Sequence, residues 1–176
     1  MGSLAERIAN AFVANTLTQY VGCFIISMIP LIELRGAIPI AHWFKEMNPD
    51  NFNLVLGYVI IAIGNMLPVP FIFFFARKVL EWGKDKKIIG RFFTFCLEKG
   101  HKGGEKLQAK AGRGLFVALL LFVGIPLPGT GAWTGTLAAS ILDMKFKESV
   151  IAVMLGVALA GLIMGVLSAG IFGAIF

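Results

Sequence analysis

A carboxylate and a guanidinium, Glu33 and Arg35, stand two residues apart inside the otherwise apolar run 29–41, IPLIELRGAIPIA. A carboxylate can take up and release a proton, and a guanidinium can grip a phosphate with two parallel hydrogen bonds. Ionisable groups at membrane depth are costly and mark substrate or proton pathways. Pro30 and Pro39 flank the pair. Each lacks an N–H and clashes with the preceding turn, so the expected local structure is a helix broken across the stretch between them. In lipid such a break survives only where protein or a water-filled cavity satisfies the freed backbone groups. A simpler role for the pair is mutual neutralisation. Residues two apart do not face each other on a regular helix, so pairing also needs a broken backbone.

A second stretch, 125–133, reads IPLPGTGAW and carries no charge. Its glycines and the N–H groups at the start of the following half-helix suit an anion. The candidate substrate-binding residues are therefore Glu33, Arg35, Gly36, Pro39 and Asn65, with Pro126, Pro128, Gly129, Thr130, Gly131 and Trp133. Glu33 is the candidate proton carrier. His42 and Trp43 are expected where an arm meets the interface, with His42 a lesser candidate for proton handling. The sequence carries no nucleophile–His–acid set, no phosphate-binding P-loop and no His or Cys cluster, so no enzyme, cofactor or metal is expected.

The elements that must hold these residues are apolar. Of 176 residues 57% are hydrophobic, with mean hydropathy +0.82, 16 Phe and 21 Gly. That exceeds the roughly half found in soluble domains and indicates an integral membrane protein. The net charge of +6 is no nucleic-acid signal, because the basic residues concentrate in 77–113 between apolar tracts. This linker, with an amphipathic stretch around Ile88, Ile89, Phe92, Phe93 and Cys96, is expected to be cytoplasmic. Cys23 and Cys96 lie in no metal or CxxC spacing and are expected to be free thiols. No cleavable signal peptide is expected in the first residues.

Residues 17–29 and 115–124 are apolar but too short to cross a hydrocarbon core of about 30 Å at about 1.5 Å rise per residue. Residues 52–76 and 150–176 are long enough. Gly64, Asn65, Pro68 and Pro70 interrupt the first, and the prolines should bend it. The order short arm, proline-broken tip, short arm, polar gap, full span thus occurs twice. With the basic linker inside, the two full spans run in opposite directions, the plan of inverted-repeat transporters. The expectation is an all-α integral membrane protein with two inverted repeats, each a re-entrant helical hairpin followed by a transmembrane helix. It forms one domain over 1–176, with repeat one at 11–76, the linker at 77–113 and repeat two at 114–176.

The motifs ELRGAIP at 33–39 and PLPGTGAWTG at 126–135 resemble the small multidrug export protein family of bacteria and archaea, over nearly the whole chain. That family is distantly similar to the DedA (VTT) superfamily. The resemblance implies two re-entrant hairpins, a role for Glu33 like that of the superfamily's acidic first-hairpin residues, and movement of lipids such as undecaprenyl phosphate. The chain departs from the DedA pattern in one respect: its second hairpin, 115–142, has no arginine. The functional expectation is a transporter or flippase in the inner membrane for an anionic, phosphate-bearing lipid-linked substrate, with the proton as candidate coupling ion. Arg35 and the backbone at 129–131 would bind phosphate, in a homodimer for which the Gly-rich last helix offers an interface. The alternatives are an exporter of cationic amphiphilic drugs, with Glu33 as counter-charge, and a non-transporting membrane scaffold.

Overall fold

The computed structural model describes residues 15–84 and 114–175, and they are all-helical. The helices are α1 (Thr16–Met28), α2 (Glu33–Met47), α3 (Leu54–Met66), α4 (Val69–Lys84), α5 (Gly114–Gly124), α6 (Ala132–Ile141) and α7 (Phe146–Ile175). Residues 1–14 and most of the basic linker, including the amphipathic stretch and Cys96, lie outside the described residues.

Two apolar stretches are long enough to cross a membrane: Leu54–Phe75, which includes α3 and the first part of α4, and Phe146–Ala174 in α7. Their outward side chains are those of a lipid-facing surface. Val55 and Phe71 on the first, and Leu162 and Val166 on the second, are each at least 70% exposed. The remaining arms have 10 to 15 residues, roughly 15–22 Å at helical rise.

The contacts divide the chain into two compact units, 1–67 with 158–176, and 68–157. In the first, α1 and α3 run side by side in the same direction. At their starts the Asn53 N–H donates to the Tyr20 hydroxyl (2.8 Å) and the Tyr20 ring stacks on Phe52 at 4.8 Å. Asn15 and Asn53 cap the two helices with side-chain oxygens that accept from Leu17 and Leu56, as asparagine does best. At the far end Gly64 brings α3 against Ser27 and the Phe24 carbonyl of α1. Helix α2 returns antiparallel, with Phe44 on Phe52 (5.9 Å) and Ala41 opposite Gly57. The C-terminal part of α7 adds Gly165, which lies against the Tyr58 hydroxyl.

In the second unit, α5 packs on α7 where Gly156 meets Val123 and the Leu120 carbonyl. The Ser140 hydroxyl of α6 donates to the Phe73 carbonyl of α4 at 2.7 Å. Helix α6 ends in a Schellman motif: Met144 N–H reaches the Ala139 carbonyl (3.1 Å), Asp143 N–H reaches Ser140 (3.4 Å), and Asp143 takes the left-handed φ of 55°.

Several expected boundaries move. The first tip is only 29–32, and Pro39 lies inside α2, which runs on to Met47. Pro39 offers no N–H to the Arg35 carbonyl, yet buried Ala37, Ile38 and Ala41 on either side of it hold the helix in place. A turn at 67–68 divides the first long span. Its second half continues to Lys84, past the expected start of the linker at 77.

The glycines allow a stability test. Gly64→Val would drive a side chain into Ser27 and the Phe24 backbone, whereas nothing lies within 4 Å of a Cβ at Gly170. Gly64→Val is expected to destabilise the purified protein by about 1–3 kcal/mol, read as a lower Tm in detergent, while Gly170→Ala leaves Tm unchanged.

Candidate functional site

The first tip is built by strain. Leu31 and Glu33 both adopt left-handed φ, 71° and 51°, which costs an L residue roughly 1–2 kcal/mol. The turn closes with the Glu33 N–H on the Ile29 carbonyl and the Gly36 N–H on Ile32, each at 3.0 Å. A Cβ at Gly36 would strike the Ile32 side chain, so glycine lets α2 begin directly under the tip. Apolar Ile29, Leu31 and Ile32 are exposed at the turn, and Glu33 is buried behind them at 3% exposure.

This conformation places Glu33 and Arg35 in the first turn of α2. The helix start carries partial positive charge and stabilises an anion. The Glu33 carboxylate also acts electrostatically on the Arg35 guanidinium. Arg35 itself is half-buried. The irregular backbone that pairing two positions apart requires is therefore present at Glu33.

Asn65 joins them by register. Helix α2 runs antiparallel to α3, with Ala41 opposite Gly57 and Phe44 opposite Phe52, which carries the end of α3 to the level of Glu33. Asn65 is fully buried, and both its side-chain polar atoms lack a hydrogen-bond partner among the described residues. Such atoms cost about 1–3 kcal/mol each, an arrangement suited to a group that meets a ligand. Pro39 is a turn and a half further along α2, half-buried, and shapes the helix below the tip.

The second tip occupies 125–131 in the other unit. Thr130 gives it its shape, its hydroxyl lying 3.0 Å from the Ile125 carbonyl and 2.9 Å from that of Leu127. Gly129 (φ 81°) and Gly131 (φ 142°) take conformations that L side chains rarely adopt. Gly131 stands at the N-cap of α6 with no side-chain cap, so backbone donors form that helix start. Pro128 is exposed, Pro126 and Trp133 half-buried. Thr136, one turn into α6, is fully buried with its hydroxyl unpartnered among the described residues.

Two features were not legible in the sequence: the contact of His42 with Tyr58, and buried Thr136. His42 is buried at 8% exposure, with Nε2 2.9 Å from the Tyr58 hydroxyl. The signal for Tyr58 was available, as a lone phenol in an aliphatic span. Thr136 gave no signal, being one small hydroxyl among several in 132–141. No group of three or more His, Cys, Asp or Glu able to hold a metal occurs among the described residues.

Two long apolar helices, short arms meeting at irregular tips, and ionisable side chains behind one of those tips define a polytopic helical membrane protein. A family model described as "Putative small multi-drug export protein" matches residues 33–163, most of the chain, from Glu33 at the start of α2 through the second tip, and the protein belongs to that family. The family's name places its members in membrane export. No curated protein and no solved structure matches the chain.

Proposed function

We propose that this protein is a membrane transporter that moves a phosphate-bearing amphiphile, such as a phospholipid or polyprenyl phosphate, with Glu33 carrying the coupling proton. The observation that carries this reading is the unequal exposure of the two tip charges: Glu33 is 3% exposed whereas Arg35 is half-buried. A ligand arriving at the tip meets the guanidinium first. The carboxylate behind it is already offset by the start of α2. The backbone donors of Gly129 to Gly131 at the second tip suit the same class of ligand.

Further parts of the reading are two re-entrant hairpins in inverted repeats, a DedA-like ancestry, a homodimer, an inner-membrane location and a cytoplasmic linker. The short arms support re-entry: at roughly 15–22 Å they fall short of a core of about 30 Å. Each hairpin also packs on only part of each long apolar stretch within its own unit.

The family's description favours a second reading, export of cationic amphiphilic drugs with Glu33 as counter-charge. Native mass spectrometry of the protein extracted from membranes separates the two. The expected result is a retained phospholipid or polyprenyl phosphate, displaced poorly by cationic drugs. Selective retention of cationic amphiphiles with no phosphate-bearing lipid would assign the drug-exporter role. Retention of neither, with no transport of either class in proteoliposomes, would point to a scaffold.

A further inference from the structure

The His42–Tyr58 contact joins two titratable side chains inside the first unit. The imidazole Nε2 lies 2.9 Å from the phenolic oxygen, and the Phe172 ring stacks on the imidazole at 6.2 Å and 14°. The hydroxyl is seated against Gly165, where a Cβ would collide with it. The contact suits both protonation states. With neutral His42, the Tyr58 O–H donates to Nε2; with the imidazolium, Nε2–H donates to the phenolic oxygen. Only the hydroxyl hydrogen need rotate, and the aromatic face of Phe172 tolerates a positive ring.

The position matters as much as the pair. His42 follows Glu33 by nine residues on α2, about 13 Å of helix. It precedes by one turn the exposed Glu46, whose charge acts on it. On α2 the other charged groups are Lys45, whose amine donates to the Pro49 carbonyl, and Arg35, two turns back on the same face. Helix α3 brings only Tyr58, and α1 brings Tyr20 and Cys23. Residues 158–174 of α7 carry no titratable side chain.

We propose that the His42–Tyr58 pair is a second proton-holding site, standing between exposed Glu46 and buried Glu33 along α2. A proton is taken up on Nε2 as the Tyr58 hydroxyl turns from donor to acceptor, and the reverse rotation releases it. The role in transport rests on the proton-coupled reading of Glu33, but proton holding is measured without transport.

The chain has two histidines, so His101→Gln leaves His42 as the single imidazole signal. With this full-length variant in phospholipid nanodiscs and 15N-labelled histidine, NMR is recorded across about pH 5–8. The expected result is reversible titration of His42 within that range. Tyr58→Phe should lower its midpoint by about half a unit or more, because a charge-assisted hydrogen bond is lost. Gly165→Ala, which pushes the hydroxyl aside, should shift it in the same direction and serves if Tyr58→Phe does not fold. In Glu33→Gln the titration should persist, so a failed role for Glu33 leaves this proposal standing. A His42 that stays neutral throughout, or a midpoint unmoved by both variants, overturns it.

Discussion

Arg35→Lys is expected to lose most transport of a phosphate-bearing lipid, by about tenfold to a hundredfold, while the protein still folds. Both residues carry one positive charge, so any long-range attraction to the substrate survives the change. The planar fork does not: a guanidinium gives a phosphate two parallel hydrogen bonds, and an ammonium acts as a point charge. A charge-assisted hydrogen bond contributes about 1.5–3 kcal/mol, and each 1.4 kcal/mol is about a factor of ten. The substitution is mild for the fold because Arg35 is half-buried at the start of α2, not locked in the core. The measurement is lipid translocation in proteoliposomes with a fluorescent phosphate-bearing lipid, beside efflux of a cationic dye. Lipid movement indifferent to Arg35→Lys would remove Arg35 from the substrate site. Dye efflux as the sole activity would move the protein to the drug-exporter reading.

Glu33→Gln should abolish the response of transport to a proton gradient and leave expression and Tm near those of the wild type. Glutamine keeps the volume and one acceptor oxygen of the carboxylate but cannot titrate. Mutual neutralisation makes a different prediction. Removing one member of a buried ion pair strands the other charge and costs about 3–5 kcal/mol. Glu33→Gln would then fall sharply in Tm, and the double variant Glu33→Gln with Arg35→Gln would recover it. Thermal unfolding of the three proteins, with transport measured with and without an imposed pH gradient, separates the roles. A normal gradient response in Glu33→Gln excludes Glu33 as proton carrier.

Composition and proline placement alone determined the class of this protein and the location of its irregular points. A chain 57% hydrophobic with arms too short to cross a bilayer can be read that way because hydropathy and the missing proline N–H are local properties. The extent of each break was decided elsewhere. Pro39 looked like the far edge of the first tip, yet α2 passes through it because Ala37, Ile38 and Ala41 are buried around it. Part of that packing is Ala41 against Gly57, more than ten residues away. The chemistry of the tip was half legible. Glu33 and Arg35 announce themselves as charges in an apolar run, but which is buried depends on the left-handed turn at Leu31 and Glu33. His42 shows the same limit. Beside Trp43 it reads as an interfacial anchor, and only the antiparallel return of α2 along α3 brings it to Tyr58, with α7 adding Phe172. Sequence spacing gives the face of a helix on which a side chain stands. What that face meets is decided by packing between segments far apart in the chain.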